Sequence, residues 1–338
     1  MSGANSRQGL ARSVGRALAA VLALFAVTLA GGPRAHAADI SLQGQRISSW
    51  AIQLQNDDAS AIAAVPYDVV VVDYSRDGSQ GGAFTAGEVA AMKVKPDGSR
   101  RFVIAYVSIG EAENYRFYWQ KSWSNAKERP GWIVRQNSEW AGNYSVKFWD
   151  KGWQGLILDN ADSYINRVLV AGFDGVYLDK IDVTDDVEDY APAGATALDL
   201  MVQLVGRIST TTKAANPNFL IIASNAEPLL DNDTYRGSID GIGKEDILFH
   251  EQEAPPGSRT YRDGFASDPD QVAGTKKLLS LLTDDSKLVL VVEYLEEQAQ
   301  IDAAAAAYAE LGYIAYFGPR SLARLAPPEV IASITGPP

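Results

Sequence analysis

Short runs rich in β-branched residues recur along the chain, and each run ends in polar residues. Val69–Val72 and Leu288–Val292 are apolar at every position, which is typical of parallel strands covered on both faces. The pattern predicts eight strands. They cover Trp50–Gln55, Val69–Asp73, Phe102–Ser108, Gly175–Asp179, Leu220–Ser224, Ile239–Gly243, Leu288–Glu293 and Tyr313–Phe317.

Helical patterns lie between most of these strands. The sequence Thr-Ala-Gly-Glu at 85–88 is a capping box that opens a helix running toward Val94. Further helices are predicted over Trp153–Ala171, Leu198–Ala215, Gln271–Leu282 and Glu296–Leu311. Eight β/α units predict an α/β protein with a single (β/α)8 TIM barrel. An open doubly wound sheet is the competing architecture, but no Gly-x-Gly-x-x-Gly follows the first strand to support it.

The connection after the third strand, about 109–151, is long and aromatic. Six of the seven tryptophans lie in it or just after it: Trp119, Trp123, Trp132, Trp140, Trp149 and Trp153. One interpretation is a rim on which flat rings stack against sugars. The other is a small aromatic core that holds the insertion together, since buried Trp and Tyr contribute much packing area.

Residues 1–37 have the three-part pattern of a secretory signal peptide. Four arginines and no acidic residue accompany the apolar stretch 17–30, and Ala35-His36-Ala37 supplies a cleavage site. A membrane span needs about 20 apolar residues, so the pattern favours a cleaved signal over a stable membrane anchor. The sequence therefore predicts a secreted protein whose single domain covers 38–338.

Composition excludes several kinds of chemistry. The chain has no Cys, which excludes disulfides and thiolate nucleophiles, and only two His, which disfavours a His-rich metal site or a Ser-His-Asp triad. The formal charge is −12; without the signal peptide, 26 basic and 42 acidic side chains give −16. Such acidity argues against a nucleic-acid partner. No metal or cofactor site is predicted, and the available chemistry rests on carboxylates, amides and aromatic rings.

Carboxylates lie at or just beyond the predicted strand ends, where barrel enzymes keep their active sites. They are Asp73, Glu111, Asp179, Glu227, Glu245 and Glu293. Tyr74 and Tyr106 end or follow strands, and Asn225 could donate a hydrogen bond to a sugar hydroxyl. Glycoside hydrolysis fits this inventory because it needs two carboxylic acids and no metal, thiol or imidazole.

Several stretches, in order along the chain, resemble glycoside hydrolase family 114, the endo-α-1,4-polygalactosaminidase-like family. They are Trp50–Gln55, Tyr67–Tyr74, Ala105–Arg116, Phe148–Asp150, Gly172–Asp179 and Ser224–Glu227. Together they span most of 48–318. The resemblance implies a secreted barrel hydrolase that cleaves α-1,4-linked galactosamine polymers.

The resemblance also implies roles for individual residues. Asp179 corresponds to the nucleophile and Glu227 to the acid/base, while Glu111 and Arg116 lie in substrate-site sequence. The acidity of the chain would attract a cationic, partly deacetylated amino-sugar polymer. The alternative function is a carbohydrate-binding barrel without turnover.

Three other features weigh less. Lys180 could form a Schiff base, but its place directly after Asp179 points it to the opposite side of an extended chain. His250 is interpreted as an ordinary loop or helix-start histidine. The acidic run formed by Asp185, Asp186, Glu188 and Asp189 is interpreted as a solvated loop, with a calcium ion or a cationic glycan as the functional alternatives.

Overall fold

The computed structural model describes residues 40–258 and 260–326, so the predicted signal peptide at 1–37 lies outside the described residues. Eight parallel strands pair in consecutive order, as a barrel requires. They are β1 (Trp50–Gln53), β2 (Val69–Asp73), β3 (Phe102–Ser108), β4 (Gly175–Asp179), β5 (Leu220–Ser224), β6 (Gly241–Glu245), β7 (Leu288–Glu293) and β8 (Ile314–Phe317). The rings of Trp50 on β1 and Tyr316 on β8 lie 6.0 Å apart, which brings the first and last strands together. The predicted (β/α)8 barrel is confirmed.

Helices connect the strands. They are α1 (Ala59–Ala63), α2 (Ala86–Met92), α3 (Lys151–Gln154), α4 (Tyr164–Ala171), α5 (Thr184–Val187), α6 (Ala197–Ala215), α7 (Asp233–Ser238), α8 (Pro269–Asp284) and α9 (Gln298–Glu310). The predicted capping box opens α2: Thr85 Oγ1 accepts from the Glu88 amide, and the Glu88 carboxylate accepts from the Thr85 amide at 2.8 Å. Among the helices of the described residues, none has the length and apolar character to cross a membrane.

The helix predicted over Trp153–Ala171 is interrupted in the structure. A short π-helix, Gly155–Asp159, follows α3, and Asn160 then adopts an extended conformation. Its carbonyl accepts from the amide of Ser163 and the side chain of Asn166, so the chain turns before α4 begins. Gly172, at φ +84°, then ends α4 as predicted.

The connection between β3 and α3 contains a three-stranded antiparallel sheet. Its strands are Glu111–Glu113, Asn143–Val146 in the centre and Ile133–Gln136. Trp123, Trp132 and Trp153 are buried and pack with centroids 5.2 Å apart in each successive pair. The core interpretation therefore holds for these three rings, whereas the indole of Trp140 is exposed. A second hairpin, Phe249–Glu253 with Tyr261–Ala266, follows β6.

Three aspartates that precede even-numbered strands bind the strand starts together. The Asp174 carboxylate accepts from the Val103 amide of β3 at 2.9 Å, and its carbonyl accepts from the Leu220 amide of β5 at 2.9 Å. Asp68 and Asp240 make the same two kinds of bond at β2 and β6. Each carboxylate also pairs with a lysine: Lys95–Asp68 and Lys93–Asp174 at 2.8 Å, and Lys213–Asp240 at 2.9 Å. We call these three residues the aspartate clamps.

The sixth strand begins two residues later than predicted, at Gly241 instead of Ile239. Ile239 is the C-cap of α7, where its amide bonds to the Arg236 carbonyl. Asp240 is committed to its clamp with Ile221. The strand also ends two residues later than predicted, at Glu245, so the carboxylate of Glu245 belongs to the last residue of β6 and not to the loop after it.

We predict that Asp174→Ala destabilises the fold by about 2 kcal/mol, because the buried amide of Val103 and the cations of Lys93 and Arg100 lose their shared partner. Asp233→Ala is the matched control: Asp233 also pairs with an arginine, but its side chain is 90% exposed. Its loss is expected to stay below about 1 kcal/mol. Urea denaturation of both variants measures the difference, and equal losses would contradict a structural role for the clamps.

Candidate active site

A cleft of 340 Å³ opens at the carboxyl ends of the barrel strands. Seven of the ten residues predicted for the site line it: Asp73, Tyr106, Glu111, Arg116, Asp179, Asn225 and Glu245. The structure therefore gathers residues from β2 to β6 and from the connection after β3 around one cleft. Tyr74, Glu227 and Glu293 do not line it.

Strand alternation brings Asp179 and Glu245 into this cleft. Side chains two residues apart on a strand share a face, so Tyr177 and Asp179 share one face of β4, and Gly243 and Glu245 share one face of β6. A Cβ at Gly243 would lie 2.2 Å from the hydroxyl of Tyr177, which places that face of β6 against the tyrosine. Glycine at position 243 makes room for the ring of Tyr177. The carboxylate of Glu245, two residues further along β6, lies on the same face and nearer the cleft.

Asp179 is held by a short hydrogen bond. The hydroxyl of Tyr106 on β3 donates to Asp179 Oδ2 at 2.6 Å. Burial and the nearby charge of Glu245 raise the pKa of Asp179 to about 6, while the bond from Tyr106 and the ammonium of Lys180 limit the rise. The carboxyl therefore changes its charge state close to neutral pH, a property common among catalytic acids and nucleophiles.

Glu245 is oriented by two donors. Asn225 Nδ2 donates to Oε2 at 2.9 Å, and the hydroxyl of Tyr294 donates to Oε1. The Asn225 amide oxygen in turn accepts from the Glu245 backbone at 3.2 Å. Both carboxylate oxygens of Glu245 are thus fixed, and the predicted sugar-binding Asn225 acts on a carboxylate in this structure.

Glu227 lies outside the cleft. Its Oε1 is 3.5 Å from Lys244 Nζ and 3.4 Å from Thr275 Oγ1 on α8. Lys244 precedes Glu245 on β6 and so lies on the alternate face of the strand. Asn225 and Ala226 both have left-handed conformations, at φ +52° and +57°, and this double turn carries Glu227 toward α8. The structure therefore does not bring Glu227 together with Asp179, contrary to the predicted pairing.

A buried charge network forms one wall of the cleft. Arg116 Nη1 donates to Asp73 Oδ1, and Arg116 Nε donates to Glu113 Oε2, both at 2.6 Å. The arginine side chain is 1% exposed. Burial raises the pKa of Asp73, and the charge of Arg116 opposes that rise. Because a buried charge without a partner is costly, the three groups stabilise one another only as a set.

Glu111 and Lys180 line the cleft beside this wall. Glu111 is buried; its Oε1 accepts from Asn137 Nδ2 at 2.9 Å and lies 3.8 Å from Lys180 Nζ. Lys180 has φ +61°, so strand alternation no longer applies and its side chain enters the cleft instead of pointing away. Burial lowers the pKa of Lys180, but the negative charges of Asp182 and Glu111 outweigh burial, so the pKa lies above its ordinary value. A protonated amine is a poor Schiff-base nucleophile.

The remaining candidates have structural surroundings. Tyr74 packs against Tyr164, with ring centroids 5.6 Å apart, and borders a separate surface groove. Glu293 is fully buried and accepts from the Leu248 amide at 2.7 Å and the Tyr308 hydroxyl; burial raises its pKa to about 7. His250 lies in the hairpin after β6, with its ring 6.4 Å from that of Phe265.

All four acidic residues of the run after β4 are exposed, and Asp186 pairs with Arg135. They lie in α5 and in a 3-10 helix, Glu188–Tyr190, instead of the predicted loop. Within the described residues, no group of three or more His, Asp or Glu side chains is arranged to hold a metal ion.

Sequence reasoning missed several residues that line the cleft. They are Glu113, Tyr115, Tyr177, Asp182 and Arg320; Trp140, one of the tryptophans of the predicted sugar-stacking rim, also lines the cleft. Two signals were present. Glu113 and Tyr115 belong to the family-like stretch Ala105–Arg116, and Arg320 follows the end of β8. The position of Trp140 depends on how the connecting sheet folds, which no local pattern encodes.

Comparison with known proteins agrees with the geometry. An α/β barrel with two carboxylates in a strand-end cleft has the architecture and the groups that glycoside hydrolysis uses. The model of glycoside-hydrolase family GH114 matches residues 32–328, and the chain belongs to this family.

Similar proteins extend this comparison. The chain is 35% identical over 256 residues to an uncharacterized protein of Methanocaldococcus jannaschii, covering 73% of this chain and 66% of that protein. The glycoside hydrolase domain of PelA from Pseudomonas aeruginosa has a TM-score of 0.59 at 16% identity, over 82% of this chain and 97% of that domain. Aspergillus fumigatus Ega3, solved in complex with galactosamine, has a TM-score of 0.56 at 16% identity, over 83% and 96%. At these identities the two solved structures show a shared fold.

We predict that Tyr106→Phe moves the acidic limb of the activity profile to higher pH. The hydroxyl favours the ionised carboxylate, so its removal raises the pKa of Asp179 above about 6. The pH dependence of kcat/KM measures the shift. Tyr313→Phe is the matched control, since that hydroxyl reaches the Lys276 carbonyl at 3.4 Å and does not line the cleft. An unchanged profile in Tyr106→Phe would contradict the assignment of Asp179 as a titrating catalytic group.

Proposed function

We propose that this protein is a secreted glycoside hydrolase that cleaves α-1,4-linked galactosamine-type polysaccharide, with Asp179 and Glu245 as its carboxylate pair. One observation carries the proposal: both carboxylates line the same strand-end cleft, each with a defined hydrogen-bond partner. Family membership supports the reaction class. The predicted signal peptide supports export.

In the proposed reaction, the ionised Asp179 is the nucleophile and Glu245 is the acid. Glu245 transfers a proton to the glycosidic oxygen as the bond between that oxygen and the anomeric carbon breaks, and Asp179 attacks that carbon. A water molecule then attacks the anomeric carbon: its oxygen bonds to that carbon as the bond to Asp179 breaks, and its proton passes to Glu245. Glu245 takes the role that the sequence assigned to Glu227 because Glu227 is paired with Lys244 outside the cleft.

Charge supports an amino-sugar substrate. Six carboxylates line the cleft (Asp73, Glu111, Glu113, Asp179, Asp182 and Glu245), against the three cations Arg116, Lys180 and Arg320. Arg320 is also neutralised from outside the lining, by a two-pronged pair with Asp246 at 2.9 and 3.0 Å. A cationic polymer gains more from this excess of negative charge than a neutral one. The galactosamine bound to Ega3 is consistent with this substrate class.

We predict that Asp179→Asn and Glu245→Gln each lower kcat by about a hundredfold to ten-thousandfold, because each removes a group that acts on the reacting atoms. Glu227→Gln is the matched control and is expected to keep turnover close to that of the wild type. Reducing-end release from polygalactosamine, with thermal unfolding to verify folding, measures all three. Loss of turnover in Glu227→Gln with retention in Glu245→Gln would reverse the assignment.

A second outcome would support the alternative function. If the wild type binds the polymer in calorimetry but releases no product after long incubation, the barrel is a carbohydrate-binding protein without turnover. Incubation with galactosamine, N-acetylgalactosamine and neutral glycan polymers, followed by product analysis, makes this distinction for each substrate class.

We predict that KM for a galactosamine polymer rises with salt, whereas KM for an N-acetylated polymer of the same length stays nearly constant. At about 1 M ionic strength the screening length falls to about 3 Å, which removes long-range attraction between a cationic chain and the acidic cleft. Initial rates across a sodium chloride series measure both values. Faster cleavage of the neutral polymer without any salt effect would contradict the proposed substrate.

A further inference from the structure

Trp140 is an exposed indole at the rim of the cleft. Its residue surface is 61% exposed, whereas Trp123, Trp132 and Trp153 are buried in the core of the same connection. Trp140 nevertheless lines the cleft that contains Asp179 and Glu245. A large apolar ring left in water has an unfavourable free energy that burial against a ligand would recover.

The turn that carries Trp140 is fixed by hydrogen bonds. Asn137 Oδ1 accepts from the amides of Glu139 at 2.9 Å and Trp140 at 3.2 Å. The Trp140 carbonyl accepts from the Asn143 amide at 3.1 Å, where the next strand begins. The backbone of Trp140 is therefore held in place without any packing of the indole into the core.

The same asparagine connects this turn to the cleft. Asn137 Nδ2 donates to Glu111 Oε1 at 2.9 Å. Glu111 is 1% exposed and lines the cleft, and its second oxygen has no hydrogen-bond partner. The side chain of Asn137 thus holds both the turn that carries Trp140 and the buried carboxylate of Glu111.

We propose that Trp140 is a stacking platform for a sugar ring of a hexosamine chain, away from the bond that is cleaved, and that Asn137 is its positioning residue. A pyranose ring presents a flat face of C–H groups that complements an indole. Trp140 lies in the turn between the strands Ile133–Gln136 and Asn143–Val146, outside the barrel, whereas the reacting carboxylates stand on β4 and β6. We therefore assign to Trp140 a ring next to the one that is attacked. This inference rests on the proposed glycosidase function and adds a requirement for chain length.

The test compares chains of increasing length. For long galactosamine oligomers, Trp140→Ala is expected to raise KM about threefold to tenfold, with kcat unchanged. For the shortest oligomer that the wild type cleaves, KM is expected to stay the same. Trp140→Phe should recover most of the affinity for long chains. Tyr261→Ala is the matched control, because Tyr261 is 60% exposed and does not line the cleft.

A double-mutant cycle tests the role of Asn137. Asn137→Ala is expected to raise KM more for long oligomers than for the shortest one, and this length-dependent part should vanish in the Trp140→Ala background. A KM change in Asn137→Ala that is equal at every length reports on Glu111 instead. Equal KM changes at every chain length in Trp140→Ala, or additive length-dependent losses in the double variant, would overturn the platform. A wild type that cleaves no hexosamine chain would contradict the proposed function instead, and calorimetric titration of the long oligomer into wild type and Trp140→Ala would still decide whether the indole binds it.

Discussion

The two-residue period of an extended strand is the constraint on which the site depends. It places Tyr177 and Asp179 on one face of β4, and Gly243 and Glu245 on one face of β6. The inner space of a barrel holds few large side chains, so the ring of Tyr177 requires glycine opposite it. Asp179 and Glu245 follow two residues later on the same faces, where the barrel opens into the cleft. The alternation of side chains that packs the barrel interior therefore also directs these two carboxylates into the cleft.

Much of this arrangement could be predicted from sequence. Short β-rich runs that end in polar residues predicted all eight strands, and five of them have the predicted bounds. Strand ends then led to Asp73, Asp179 and Glu245. Two of the failures, at Glu227 and Lys180, came where the backbone leaves regular geometry. At Asn225 and Ala226, two left-handed residues turn Glu227 away, and at Lys180 a third reverses the expected direction of a side chain.

The start of β6 shows a different limit. Apolar character at Ile239 suggested a strand, but tertiary hydrogen bonds assign that residue to the end of α7 and Asp240 to a clamp. A shift of two residues preserves which side chains face inward, so Glu245 kept its direction. It changed only whether that carboxylate belonged to the strand or to the loop after it. Strand identity and facing were encoded locally, whereas the depth of a residue in the barrel was not.

The aspartate clamps have a consequence for how the barrel holds together. Each clamp forms hydrogen bonds to the starts of the two strands that flank the strand it precedes. All three clamps lie at the end of the barrel opposite the cleft. They precede the even-numbered strands β2, β4 and β6, so neighbouring clamps share a strand: Asp68 and Asp174 both bond to β3, and Asp174 and Asp240 both bond to β5. The starts of the strands from β1 to β7 are thus linked by one connected set of hydrogen bonds at the end of the barrel opposite the cleft. Loops at the carboxyl ends of the strands, around the cleft, can therefore vary in length and composition while the register of the strands stays the same.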